Sequence, residues 1–265
     1  MNIETIVTDR FEMDYFKCGR GSRSLVIIPG LSAKSVMESA DQISKMYDPI
    51  ADDFMIYVID RRKDLPSPYP VHDMAIDTAE AIISPGLKDV YLFGASQGGM
   101  IVLEIAIEYP DLVKKLAVGS TSANLRSQEP EAIDEWIKLA KEKKTKELFL
   151  SYGKKLYPPE IFEQCRDVLI STSETVTDSD LERFIISAEG MRGFDITDRL
   201  QKITCPALVT GSFEDEVLDS DMTMEIAEKL DERKDFELYM YNGFGHAAFD
   251  TAPDYLARIH SFFMK

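Results

Sequence analysis

The stretch Val90-Tyr91-Leu92-Phe93-Gly94-Ala95-Ser96-Gln97-Gly98-Gly99 constrains the fold of this 265-residue chain more than any other. An apolar run rich in strand formers meets a serine flanked by glycines, and an amphipathic helical pattern follows at once over residues 100–109. Strand, tight turn and helix in that order put Ser96 at the apex. Gly94 and Gly98 stand where a larger residue would clash with neighbouring backbone as the chain reverses, and Gly99 lets the helix pack close to the sheet. Such a turn exposes the serine hydroxyl in a strained conformation, beside a helix N-terminus that favours developing negative charge. A Gly-Ser loop without chemistry can carry the same letters, so the rest of the chain has to decide between the two.

The rest of the chain alternates strands with helices. Continuous apolar runs at 24–28 and 54–59 read as buried strands, and residues 115–119, 206–211 and 236–241 add more. Helical patterns lie between them at 36–51, 71–83 and 220–230, and another closes the chain at 254–264. Residues 3–18 read as a pair of antiparallel edge strands. This rhythm predicts an α/β fold with a mainly parallel sheet flanked by helices on both faces. Function in such sheets gathers at the carboxyl ends of the strands. Pro29-Gly30-Leu31, Asp60-Arg61-Arg62 and Ser96 all fall there. Residues 125–200 break the rhythm, with no convincing strand and with helical patterns at 131–150 and 180–190. They are expected to form a helical cap insertion over the sheet's carboxyl edge, leaving 1–124 and 201–265 as the core.

Composition narrows the function. A net charge of −17 argues against a nucleic-acid partner and against adsorption to anionic lipid. Cys18, Cys165 and Cys205 have no paired spacing, which suits reduced thiols in a cytoplasmic protein. No Cys/His cluster has metal-ligand spacing, no signal peptide is evident, and the apolar runs are strand-sized, so no membrane span is expected.

A serine hydroxyl needs a base, usually a histidine oriented by a carboxylate. His260 lies in the closing helix and reads as a helix-surface residue, and His72 opens a helix after a Pro-rich loop, where a structural or capping role is simpler. His246 sits in a glycine-punctuated loop directly after a strand, a position that suits a mobile, exposed base. The segment Gly211-Ser212-Phe213-Glu214-Asp215-Glu216-Val217, also just past a strand, offers Asp215, with Glu214 as its rival.

The order Ser96, Asp215, His246 around that turn resembles the α/β-hydrolase superfamily over nearly the whole chain. Pro29-Gly30-Leu31 stands at the family's His-Gly-x turn, Asp60-Arg61-Arg62 at its Asp-x-Arg-Gly turn, and Gly245-His246 with Pro253 at its histidine loop. Residues 73–77 resemble the helix before the serine turn, and residues 194–200 the return from cap to core. The resemblance implies Ser96 as nucleophile, His246 as base and Asp215 as its orienter, with the Leu31 and Gln97 backbone N–H groups as oxyanion hole. Pro29, Arg62 and Lys63 depart from the family pattern without removing a reacting group. Counting forward from Gly211 favours Glu214 as the acid, whereas Val217 two places on favours Asp215. A serine at the turn counts against the dehalogenase branch, which uses aspartate there.

The expected function is a serine hydrolase of a carboxylic ester or related small-molecule acyl substrate, working through an acyl-enzyme without a cofactor. The same triad serves acyl transfer, lactone opening and C–C bond hydrolysis, and the rival of another class is a ligand sensor with little turnover. Within 136–155, Lys138, Lys141, Lys143, Lys144, Lys146, Lys154 and Lys155 reverse the sign of an acidic protein. A solvated helix face is the simpler reading; a docking site for an acidic acyl carrier or an anionic substrate tail is the functional one. Trp136, Phe149, Tyr152 and Tyr157 nearby either line an acyl pocket or fill the core of the cap.

Overall fold

The computed structural model describes residues 1–125 and 130–265. The chain runs β1 (Ile3–Val7), β2 (Glu12–Gly19), β3 (Arg23–Ile28), α1 (Ala40–Tyr47), β4 (Phe54–Arg62), α2 (Val71–Ile83), β5 (Val90–Ala95), α3 (Gln97–Glu108) and β6 (Val113–Gly119). It continues through α4 (Glu131–Lys141), α5 (Thr145–Leu156), α6 (Pro159–Ser173), α7 (Asp178–Glu189), β7 (Ala207–Ser212), α8 (Ser220–Leu230), β8 (Phe236–Tyr241), α9 (Ala248–Thr251) and α10 (Tyr255–Met264). The strands form one eight-stranded sheet in the order β1-β2-β4-β3-β5-β6-β7-β8. β1 and β2 are antiparallel to their neighbours, and every pairing from β4–β3 to β7–β8 is parallel.

Alternation along the strands sorts their side chains to two cores. Val26 and Ile28 of β3, Leu92 of β5 and Val118 of β6 pack with α2, α3 and α8 on one face. Leu25, Ile27, Tyr91, Phe93 and Ala117 pack with α1 and α10 on the other. β5 is buried along its whole length, which is why its sequence is a continuous apolar run rather than an alternating one. Each such buried aliphatic side chain contributes roughly 1.5–3 kcal/mol relative to exposure.

Three details differ from the sequence reading. β2 lies between β1 and β4 and is not an edge. The helix expected at 36–51 is α-helical over Ala40–Tyr47, with short 3₁₀ turns at Val36–Ser39 and Asp48–Ile50. Pro49, with no N–H to continue the ladder, sits inside the second of those turns. The pattern at 131–150 is two helices, because Lys143 turns left-handed (φ 55°) and the chain reverses there. α6 lacked a sequence signal for a physical reason: it buries Phe162 and Ser173 and leaves most of its length half-buried or exposed.

Because β3 to β8 run parallel, their carboxyl ends share one edge. The Pro29-Gly30-Leu31 turn, Asp60-Arg61-Arg62, Ser96, the β7 loop carrying Asp215 and the β8 loop carrying His246 all open onto it. The helices α4 to α7 are inserted between β6 and β7, directly after that edge.

Candidate active site

Ser96 is the hinge between β5 and α3. Its backbone sits at φ 55°, ψ −128°, a conformation that costs a non-glycine residue about 1–3 kcal/mol and persists only where its surroundings over-determine it. Here the Ser96 N–H donates to the Gly119 carbonyl at 2.9 Å, and its own carbonyl accepts from the Thr121 hydroxyl at 2.7 Å and the Met100 amide at 3.2 Å. A Cβ at Gly94 would lie 2.3 Å from the Gly98 carbonyl oxygen, and one at Gly98 2.1 Å from that of Ile28. The turn can therefore close only with glycine at both places. Gly99 has a more local task than expected, since a Cβ there would strike the side chain of Thr121, the residue that holds Ser96.

His246 is buried, 1% exposed, and so is not exposed as its loop suggested. The loop is enclosed by α5, whose Leu156 carbonyl accepts from the Ala247 amide at 3.0 Å. Nδ1 of His246 lies 2.8 and 2.9 Å from the two carboxylate oxygens of Asp215. An ionised carboxylate only accepts, so Nδ1 carries a proton, and in the neutral tautomer this selects Nε2 keeps its lone pair. Asp215 is fixed in turn by the Val217 and Leu218 amides, which donate to Oδ1 at 2.8 and 2.9 Å. Glu214 points elsewhere. Its Oε2 accepts from the Gly243 amide at 2.6 Å and from the Ser212 hydroxyl at 3.2 Å, clipping the histidine loop to the β7 loop.

The Pro29-Gly30-Leu31 turn packs against Ser96, with a Cβ at Gly30 falling 3.2 Å from the serine Cβ. Among the described residues, neither the Leu31 nor the Gln97 amide donates to a backbone acceptor. Side chains brace the turn from below and above. The Arg61 guanidinium donates to the Pro29 carbonyl at 2.7 Å and to the Gln97 side-chain oxygen at 3.1 Å. Burial pulls the Arg61 pKa below its ordinary value. Gln97 passes the link on, donating to the Ser187 carbonyl of α7 at 2.6 Å. From α5, the Tyr152 hydroxyl donates to the Leu31 carbonyl. Sequence reasoning noted Arg61 only as part of a turn and Tyr152 only as pocket or core, because contacts between remote segments leave no local pattern.

A cavity of about 560 Å³ opens over these groups, lined among others by Leu31, Ser96, Tyr152, Phe184, His246 and Asp250. Phe149 and Tyr157 line it too, whereas Trp136 is buried behind them, 4.6 Å from the Tyr152 ring centre. The other histidines stand apart. His72 Nδ1 bonds Glu104 at 2.7 Å, and His260 Nε2 bonds Asp53 at 2.9 Å. Of the lysines in 136–155, Lys141, Lys143, Lys144 and Lys155 are ion-paired with Glu189, Asp178, Glu142 and Glu216. Arg62, at a place where glycine was expected, pairs with the buried Asp77 at 3.0 Å. Among the described residues no helix is long and apolar enough to cross a membrane.

This architecture is that of the α/β hydrolases, a superfamily of enzymes. It is shared with the crystal structure of MGS-M2, an α/β hydrolase from a Medee basin deep-sea metagenome library (TM-score 0.86, 19% identity, 99% of this chain and 98% of that one). The enol-lactonase of Burkholderia xenovorans LB400 shares it as well (TM-score 0.83, 16% identity, 99% and 100%). Within the superfamily the chain belongs to the family described as serine aminopeptidase, S33, which it matches over residues 71–251. A relative from Caulobacter segnis, named "Putative carbamate hydrolase RutD", is 25% identical over 187 residues, 70% of each chain.

Proposed function

We propose that the protein is a serine hydrolase that cleaves a carboxylic ester or related acyl substrate through an acyl-enzyme, with no cofactor taking part. The observation that carries this reading is Ser96, strained at the head of α3, lining one cavity with a His246 whose Nδ1 is held by Asp215. In this mechanism Ser96 Oγ attacks the substrate carbonyl while Nε2 of His246 takes its proton. Asp215 keeps the ring in the needed tautomer and stabilises the imidazolium. The oxyanion of the tetrahedral intermediate sits against the Leu31 and Gln97 amides, near the positive end of α3. His246 then protonates the leaving group, and a water activated by the same nitrogen releases the acyl chain.

Helices α4 to α7 act in this reading as a cap over a core of residues 1–124 and 201–265. Esterase and lactonase architectures among the structural neighbours, and a carbamate hydrolase name among the relatives, fit a carbonyl substrate with an oxygen or nitrogen leaving group. The test is a serine-directed fluorophosphonate together with a panel of chromogenic esters. Ser96→Ala is expected to abolish labelling and to lower kcat by at least about 10⁴. Labelling that survives Ser96→Ala would end the proposal, and labelling of the native protein without ester turnover would favour a sensor.

A further inference from the structure

Arg61 is a buried cation that the catalytic steps above leave out. It stands near the end of β4, 7% exposed, and among the described residues no carboxylate pairs with its guanidinium. Asp60 beside it is used elsewhere. Its two oxygens accept from the Arg61 backbone N–H at 2.7 Å and from the Ser35 hydroxyl at 2.5 Å. Nε of Arg61 is buried and has no partner among the described residues. An arginine does not shed its proton, so the charge stays in the interior without the contacts that would offset its desolvation. What the guanidinium does hold is specific. One nitrogen, Nη2, donates both to the Pro29 carbonyl at 2.7 Å and to the Gln97 side-chain oxygen at 3.1 Å. Those acceptors belong to the two segments that carry the amides assigned to the oxyanion, the turn after β3 with Leu31 and the head of α3 with Gln97. β3 and β5 pair as far as Ile28 and Gly94, and beyond that the two segments leave the ladder. Nη2 ties them together where the strands no longer do. Gln97 is held at its other end by the Ser187 carbonyl, so its buried side chain passes the grip on unchanged.

We infer that Arg61 is a positioning residue for the oxyanion: through Nη2 it fixes the spacing of the Leu31 and Gln97 amides, and its charge stands behind the turn where negative charge develops. The inference rests on the acyl-hydrolase reading and concerns the transition state within it. A ground-state carbonyl carries little charge and tolerates a loosened pair of donors, whereas a tetrahedral oxyanion does not, so the grip acts on kcat and not on substrate binding.

The test compares a ligand that becomes an oxyanion with one that does not. When trifluoroacetophenone reacts, the bond from Ser96 Oγ to the carbonyl carbon forms, the carbonyl π pair moves to its oxygen and the hydroxyl proton passes to His246 Nε2. Acetophenone binds without adding. In Arg61→Met, kcat for a p-nitrophenyl ester and affinity for trifluoroacetophenone should both fall by about ten- to hundredfold, the worth of a hydrogen bond to a charged group. KM and affinity for acetophenone should change less than about twofold. Arg61→Lys keeps the charge without the planar fork, and its preference for trifluoroacetophenone over acetophenone should fall part of the way. A small cavity lined by Arg61, Gln97 and Ser187 adjoins the main one, both being bordered by Gly30 and Ser35. Methylguanidinium should therefore reach the space left in Arg61→Ala and restore turnover saturably, where methylammonium does not. Equal loss of affinity for the two ketones, with KM raised, would overturn the inference and make Arg61 a brace of the cavity wall. Should the Met and Ala variants not fold, a native ketone preference in Arg61→Lys would overturn it as well. Native protein that neither turns over the ester nor adds trifluoroacetophenone would sink the hydrolase reading and this inference with it. A native enzyme active on the ester, whose ketone preference ignores Arg61, would sink the inference alone.

Discussion

The sheet core and the helices between β6 and β7 bury their residues in different ways. α3 is buried at every residue from Gln97 to Ile107, whereas α6 buries only Phe162 and Ser173 of its own residues. α3 can be buried all round because strands and helices enclose it, and that packing leaves the turn at Ser96 one conformation. α6 has a free outer face, so its residues are constrained mainly where they meet the cavity and α5. Reacting groups belong on the first kind of element, where a misplacement of an ångström is costly, and substrate selection on the second. The border between the two is physical. Tyr152, Leu156 and Ser187 reach from the helices to the Leu31 carbonyl, the Ala247 amide and the Gln97 side chain.

The largest effect should come from inside the core. Asp215→Asn is expected to lower kcat by about 10⁴, because it loses both the tautomer and the partner of the imidazolium. Glu214→Gln keeps an oxygen for the Gly243 amide and should leave most of the activity. Steady-state kinetics of both variants on one ester decide the matter, and the reverse ranking would transfer the role to Glu214.

Next in size is the contact that crosses the border. Tyr152→Phe removes the donor to the Leu31 carbonyl and loosens the turn whose amide is proposed as an oxyanion donor. One hydrogen bond of net worth about 1 kcal/mol corresponds to a fall of roughly fivefold. The fall should appear in kcat with KM little changed. A change confined to KM would make Tyr152 a wall of the cavity and nothing more.

The same contrast decides what could be read from the sequence. Buried parallel strands announce themselves as apolar runs, and the glycines around Ser96 are dictated by contacts within a few residues of it, so β3, β5 and the serine turn were legible. Asp215 and His246 were legible as loop residues after strands. The Val217 landmark favoured Asp215 over Glu214 in the sequence, and the backbone sends the first carboxylate to Nδ1 and the other to Gly243. The burial of His246 was not legible, because α5 covers it from some ninety residues away in sequence. α6 escaped for the same reason: its buried face is defined only by its neighbours.

The smallest effect is expected on the outer face of the helices. Steering of an acidic acyl carrier or anionic tail by the lysines of 136–155 would require charges free to meet it. Lys141 already holds Glu189 at 2.6 Å, Lys143 holds Asp178 at 2.7 Å and Lys144 holds Glu142 at 2.6 Å, so two of these pairs tie α4 and its following turn to α7. Their fields are largely cancelled within a few ångströms, and what remains is screened beyond about 8–10 Å at ordinary salt. Replacing Lys141, Lys143, Lys144 and Lys146 with glutamine should therefore change kcat/KM for an anionic ester less than about twofold, alike at low and high salt. A loss that grows as salt is lowered would mean that the lysines leave their partners for the substrate, and would restore this face as a docking surface.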